Sequence, residues 1–234
     1  NQPTIDSCVI KNSGSIGLYF YQANNNISNT SVFDNAIGIK SDNNRPVFND
    51  CAIFDNETHE VWVVNPNGFP TFNSSTINTS ATGSIILVGG GHQTVSRSWP
   101  CFDGDYEISG SIEVYDYYTP VLTISAGNTI KFEKNAKLDV AYTTGNSANY
   151  RGRLIAEGTA DKPIVFTALN DSVGGWTGIS FNQSTNLSGP SSLKNCIVEK
   201  ADGFNVRIQY TNTITVDSSA IKDCAGYGMV VTGA

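Results

Sequence analysis

The chain has 234 residues, with 14 Lys plus Arg against 21 Asp plus Glu and a formal net charge of −7. That balance excludes a general binder of nucleic-acid backbones, which needs clustered Lys and Arg. Only 15% of residues are charged and 22 are Gly, yet the 39% hydrophobic fraction suffices for a core, which excludes wholesale disorder.

From the first residues an apolar trio recurs. One apolar residue is followed by a second five positions later and a third seven or eight after that. Ile5, Ile10 and Leu18 fit, then Ile27, Val32 and Ile39, then Phe48, Ile53 and Val61, then Phe72, Ile77 and Ile85. Near the C-terminus Leu193, Val198 and Val206 fit, as do Val216, Ile221 and Met229. The period is 21–24 residues. Flanking residues recur with it: Asp34-Asn35 and Asp55-Asn56 follow their anchors at one offset, and Asn29-Thr30, Asp50-Cys51 and Asn195-Cys196 precede theirs at another. Short β-runs separated by Asn, Asp, Gly and Ser are strand-and-turn signals, and helical periodicity is missing. Such a period without helices predicts an all-β coil of parallel strands, three per turn, each turn stacked about 4.8 Å from the last. A β-sandwich is the next choice.

The repeat lapses after Val88, and Gly89-Gly90-Gly91 reads as a break or flexible joint. The apolar run Ile85–Val88 is also far too short to span a membrane. His92 then reads as a linker residue. From about Trp99 the texture changes. Leu122–Ile124, Ile130–Phe132, Leu138–Val140, Leu154–Ala156, Ile164–Phe166 and Ile179–Phe181 are predicted strands, with a surface loop over 141–152. These shifts divide the chain into the end of one coil at 1–92 and the start of a second at 93–234. A chain that starts at Asn1 in mid-pattern reads as a piece of something longer.

Leu154-Ile-Ala-Glu-Gly-Thr-Ala-Asp-Lys-Pro-Ile-Val-Phe-Thr-Ala168 followed by Gly175-Trp176-Thr177-Gly178-Ile179 resembles the opening rungs of right-handed parallel β-helix repeat proteins found on bacterial surfaces. Pro120–Phe132 resembles the rung before it, and the repeats at 1–88 and 193–234 resemble the general repeat shared with pectate-lyase-like proteins. The resemblance implies a right-handed β-helix (solenoid) in two consecutive modules and an extracellular or cell-surface setting. It does not fix an activity, because one coil carries lyases, hydrolases, adhesins and fibres.

Cys8 and Cys51 hold one rung position two rungs apart, about 10 Å, which is too far for a disulfide. They and Cys196 are expected as small buried core residues. Outward positions of the first strand of each rung read Val9 and Lys11, Ser31 and Phe33, Ala52 and Phe54, Thr76 and Asn78, Ile197 and Glu199, Ala220 and Lys222. No two carboxylates stack there, as a glycosidase pair would require, so no catalytic residue is assigned. His59, in Glu57-Thr58-His59-Glu60, reads as an exposed loop histidine, with a base beside a carboxylate as the functional alternative. Asp103, Asp105 and Glu107 form the densest acidic run and are candidate Ca²⁺ ligands. Phe33 and Phe54 should stack on adjacent rungs facing outward, with Tyr19 and Trp62 on a neighbouring face. Such a strip suits a sugar ring or a partner. Arg207, Gln209 and Tyr210 form a weaker patch. Asn26, Asn29, Asn56, Asn73, Asn78, Asn182 and Asn186 head Asn-x-Ser/Thr triplets.

These features point to a non-catalytic segment of a large secreted or surface protein, acting as stalk, fibre or adhesin. Its partners would be glycans, neighbouring modules, or copies of itself meeting at open coil ends. The alternative is a polysaccharide lyase or glycoside hydrolase with its site on loops or outside this stretch. A trimeric virion fibre is a third option.

Overall fold

The computed structural model describes residues 3–78, 84–141, 150–182, 189–211 and 213–233. They form two compact units, Asn1–Gly89 with Phe102–Glu107, and Gly90–Cys101 with Ile108–Ala234.

In the first unit the three members of each apolar trio fall on three successive strands. Ile5–Asp6, Asn26–Ser28, Val47–Asn49 and Thr71–Asn73 pair in parallel as one sheet. Val9–Lys11, Ser31–Phe33, Ala52–Phe54 and Thr76–Asn78 form the second. Ile16–Tyr21, Ile37–Asp42, His59–Val63 and Ser84–Val88 form the third. Equivalent residues are in register, so like stacks on like inside the coil: Ile10, Val32, Ile53 and Ile77 make one column, and Leu18, Ile39 and Val61 another. Ile86, one residue past the expected Ile85, continues the latter column, although both are fully buried. Each buried Ile or Val contributes about 1.5–3 kcal/mol of transfer free energy.

The Asn and Asp richness has a geometric cause. Three strands per turn need sharp corners, and at two corners of the first unit the turn is made by one residue in the left-handed region. Ser7, Asn29, Asp50 and Ser74 take φ of 53°, 49°, 53° and 50° at the first corner. Asn12, Asp34 and Asp55 take 62°, 53° and 53° at the second. Short polar side chains tolerate this conformation best among non-glycine residues. The same solution recurs in the second unit at Asn195 and Ser218, with φ of 46° and 49°.

The second unit repeats the plan. One sheet runs Gly91–Gln93, Ile112–Val114, Lys137–Val140, Gly178–Phe181, Phe204–Gln209 and Tyr227–Thr232. Another runs Arg97–Trp99, Val121–Ile124, Arg153–Glu157, Ser191–Lys194 and Ile214–Asp217. Thr129–Phe132, Ile164–Ala168, Cys196–Glu199 and Ala220–Lys222 build the third face. Leu122, Leu154, Phe166, Ile179 and Val206 fill the interior, and Phe132 stacks on Trp176 at 4.3 Å between centroids.

Three expectations are corrected. Gly89 and Gly91 are ladder members: their amides donate to Val63 O and Ser111 O, each at 2.8 Å. A side chain at Gly89 would bring Cβ to 2.2 Å from Val64 O, so close backbone approach, not flexibility, calls for glycine there. His92 accordingly sits in a strand rather than a linker. Cys8 is exposed, because its rung has no neighbour on one side among the described residues, whereas Cys51 and Cys196 are buried as expected. Of the predicted loop at 141–152, residues 142–149 lie outside the described residues, as does Asn186. Asn56 and Asn182 are buried and serve the interior.

Candidate functional site

In the first unit, Phe33 and Phe54 occupy outward positions of adjacent strands and stack at 5.0 Å with an interplanar angle of 11°. Lys11 Nζ covers the Phe33 ring at 5.4 Å. On the third sheet Tyr19, Lys40 and Trp62 are in register. Lys40 Nζ lies 5.1 Å from the Tyr19 centroid and 3.8 Å from that of Trp62. The pairs stay on separate sheets, and the rings turn their faces toward neighbours along the coil. This follows from rung spacing: outward side chains about 4.8 Å apart are at stacking distance. A sugar ring needs a free aromatic face, and these faces are largely taken.

The acidic run folds partly as the strand Asp105–Ile108, with Asp105 and Glu107 at alternating outward positions. Asp103 bridges to Asn78 instead. Glu107 Oε2 stands 3.5 Å from His59 Nε2, and both side chains are about four-fifths buried. His59 therefore begins a strand beside a carboxylate and is not an exposed loop residue. Among the described residues no group of three or more His, Cys, Asp or Glu is arranged to hold a metal ion.

The second unit holds a groove of about 330 Å³ on the outer face of Arg153–Glu157, Ser191–Lys194 and Ile214–Asp217. Two rows cross it. Ile155, Ser192 and Thr215 are in register, and so are Glu157, Lys194 and Asp217. Ser192 Oγ donates to Glu157 Oε1 at 2.7 Å, and Arg153 Nε donates to Pro190 O at 2.8 Å. The floor is aliphatic, from Ile155 and Pro190, while the walls carry two cations and two carboxylates. On the neighbouring sheet, His92, Glu113, Asp139, Ser180 and Arg207 form an in-register row. Glu113 and Asp139 thus stand on adjacent rungs. Lys137 Nζ reaches both, at 3.8 Å from Glu113 Oε1 and 2.5 Å from Asp139 Oδ2. The attraction of these two carboxylates outweighs burial and holds the Lys137 ammonium above its ordinary pKa.

Residues 1–99 match a family model described as right handed beta helix region. The fold of the chain is a right-handed parallel β-helix. No curated protein and no solved structure matches the chain. No helix of the β-helix, among the described residues, is long and apolar enough to cross a membrane.

The outward reading of the sequence passes over both rows of the groove for one reason. The outward positions it read flank Ile10, Val32, Ile53, Ile77, Val198 and Ile221, which lie on the second strand of each rung. The groove lies on the first strands. Its residues were within reach of the repeat, since Ser192 and Lys194 flank the anchor Leu193, and Thr215 and Asp217 flank Val216. Reading one position either side of the first anchors exposes the alternation of carboxylate and ammonium.

Proposed function

We propose that the chain is a non-catalytic β-helical segment of an extracellular or cell-surface protein that engages a glycan along the groove of its second unit. One observation carries the reading: an open groove with an aliphatic floor and charged or hydroxyl side chains on successive rungs. Sugar rings offer C–H faces to an apolar floor, and their hydroxyls both donate and accept. Arg153 and Lys194 supply donors, Glu157 and Asp217 acceptors, and Ser192 and Thr215 both. The regular rung spacing repeats this chemistry in one direction, which suits a polymer. The segment would then act as stalk, fibre or adhesin.

A second reading, cleavage of the bound glycan, is favoured by Glu157 and Asp217 standing two rungs apart with Lys194 between. Two rungs are about 10 Å at the backbone, just above the ~6.5–9.5 Å carboxyl separation of inverting glycosidases.

The test is a glycan-array screen run beside reducing-sugar and unsaturated-product assays on pooled polysaccharides. Binding without product is expected, weakened at least tenfold by Ser192→Arg, which fills the groove. A folded protein that binds no glycan overturns the proposal. Product formation abolished by Glu157→Gln or Asp217→Asn replaces it with the second reading.

A further inference from the structure

A second cavity, of about 320 Å³, lies across one corner of the coil from the groove. Lys194 and Asp217 line the groove, and the residues that follow them in the chain, Asn195 and Ser218, line this cavity. Both corner residues take the left-handed conformation, with φ of 46° and 49°. The backbone therefore bends between the two recesses, and a ligand at the Lys194 end of the groove adjoins the cavity.

The floor follows from the ladder. Val165, Ile197 and Ala220 stand in register on successive strands. The step from isoleucine to alanine removes side-chain volume and opens the recess at Ala220. The wall is the turn Thr159–Lys162. It is held shut by the Lys162 N–H on Thr159 Oγ1 and by the Thr159 N–H on Lys162 O, each at 3.0 Å. Gly158 lets this turn approach the next rung, since a Cβ there would stand 2.5 Å from Asn195 O.

The lining differs in chemistry from the groove, because none of its side chains is charged. Ala160, Pro163, Ile197 and Ala220 offer apolar contact, while Ser218 and Asn195 offer a hydroxyl and a carboxamide. Asn195 Nδ2 is committed to Gly158 O at 3.1 Å, which leaves its Oδ1 as an acceptor. Ser218 Oγ donates to the exposed carboxylate of its neighbour Asp217 at 3.2 Å, a bond that water or a ligand replaces readily. An acetamido group carries one N–H to donate, one carbonyl to accept, one methyl to bury and no charge. A charged substituent would lose water here against no counter-charge.

We propose that this cavity is a subsite for the acetamido group of an N-acetylhexosamine. The inference rests on the reading of the groove as a glycan site and names the sugar class that glycan carries.

The experiment has two arms, both on the full chain. In the first, amide NMR spectra are followed as N-acetylglucosamine, N-acetylgalactosamine, glucose or galactose is added to millimolar levels. Either acetamido sugar should shift Thr159, Ser218 and Ala220, and the parent hexoses should not. Ala220→Leu, which fills the recess, should abolish the shifts. Ser218→Gly, which keeps the left-handed corner but removes the hydroxyl, should weaken binding about fivefold, the scale of one hydrogen bond. In the second arm, glycans on an array that contain N-acetylhexosamine should bind about tenfold more tightly than those with hexose in its place, from one buried methyl and its amide hydrogen bonds. Ala220→Leu should level that difference and keep the remaining affinity, whereas Ser192→Arg should abolish array binding and keep the monosaccharide shifts. Circular dichroism melts confirm folding of each variant. Acetamido sugars that shift nothing at the cavity, hexoses that shift it equally, or undiminished shifts in folded Ala220→Leu overturn the proposal. Acetamido-specific shifts without any oligosaccharide binding support the subsite and overturn the groove reading alone.

Discussion

Asn35 Nδ2 donates to Asn56 Oδ1 on the next rung at 3.0 Å, and the backbone N–H of Asn35 donates to the same oxygen at 3.1 Å. Below them Ser13 N donates to Asn35 Oδ1 at 3.0 Å, and above them Asn56 Nδ2 donates to the Glu60 carboxylate. The Asn35 and Asn56 amides also reach the carbonyls of Phe33 and Phe54, at 2.9 and 3.2 Å. A buried polar column thus closes the corner whose backbone turns at Asp34 and Asp55. Asn56→Ala removes the acceptor of the Asn35 backbone N–H and the side-chain donor to the Glu60 carboxylate together, and should cost about 3 kcal/mol in urea unfolding. Asn35→Ala removes the side-chain donor to Asn56 Oδ1 but keeps the backbone N–H that donates to the same oxygen, and should cost about half as much. Equal stability of the Asn56 variant and wild type would show that the column is incidental.

The column also shows what the sequence made legible. Asp34-Asn35 and Asp55-Asn56 recur at one offset from their anchors, and that recurrence is the corner itself: the Asp takes the left-handed turn and the Asn bonds the next rung. Core columns were readable for the same reason, since register repeats whatever the sequence repeats. Glu60 was not readable as a member of the column. It occupies an outward position by alternation, yet is 2% exposed because it bends back to the Asn56 amide. Arg207 was singled out with Gln209 and Tyr210, but its row with Asp139, Glu113 and His92 was hidden differently. Their row depends on rungs of unequal length, and only pairing across strands brings residues so far apart in sequence into register.

Burial pushes the Glu60 carboxyl above its ordinary range, and the hydrogen bonds from Asn56 only partly pull it back. A carboxyl whose folded pKa is raised binds its proton more tightly in the folded state. Its share of stability therefore grows as pH falls through the folded value and levels off below the unfolded value of about 4.3. Relative to Glu60→Gln, the wild type should gain stability between pH 7 and 4.5. Glu199 should behave oppositely. Burial pushes it up, but hydrogen bonds from Lys222 and Thr167 outweigh that and hold it below its ordinary value. Its contribution is present above the unfolded pKa and is lost as pH falls through the folded one, so the wild type should lose stability relative to Glu199→Gln on acidification. Melts of the three proteins from about pH 7 down to about pH 3, below the folded pKa range expected for Glu199, decide both signs, and parallel curves would refute them.

The five cysteines are all thiols and should separate sharply in reactivity. Burial pushes the Cys196 thiol up to about 12, and Cys51 is raised for the same reason. Cys8 and Cys101 are exposed. Titration with an aromatic disulfide at pH 8 should modify Cys8 and Cys101 within minutes, and Cys51 and Cys196 only after denaturant is added. Peptide mapping that finds Cys196 labelled early in the native protein would mean that its rung opens readily.

The stack of Phe33 on Phe54 separates a structural from a binding role for the outward aromatics. At 5.0 Å and 11° the two rings spend their facing surfaces on each other, and Lys11 covers the other side of Phe33. If the stack stabilises the coil, a double-mutant cycle with Phe33→Leu and Phe54→Leu should give a coupling of about 0.5–1.5 kcal/mol, because leucine keeps much of the buried area and loses the ring–ring geometry. Lys11→Met should cost less than about 1 kcal/mol, the scale of an exposed cation–π contact. None of these variants should change glycan affinity, which the groove at Ile155, Ser192 and Lys194 is proposed to carry. A loss of glycan binding in a stably folded Phe54→Leu protein, with no coupling energy in the cycle, would reverse the assignment and return the ligand to the first unit. The measurement is cleanest at Phe54, because the ring beyond it on the next rung is replaced by Asn78, which leaves its far face uncovered by another aromatic.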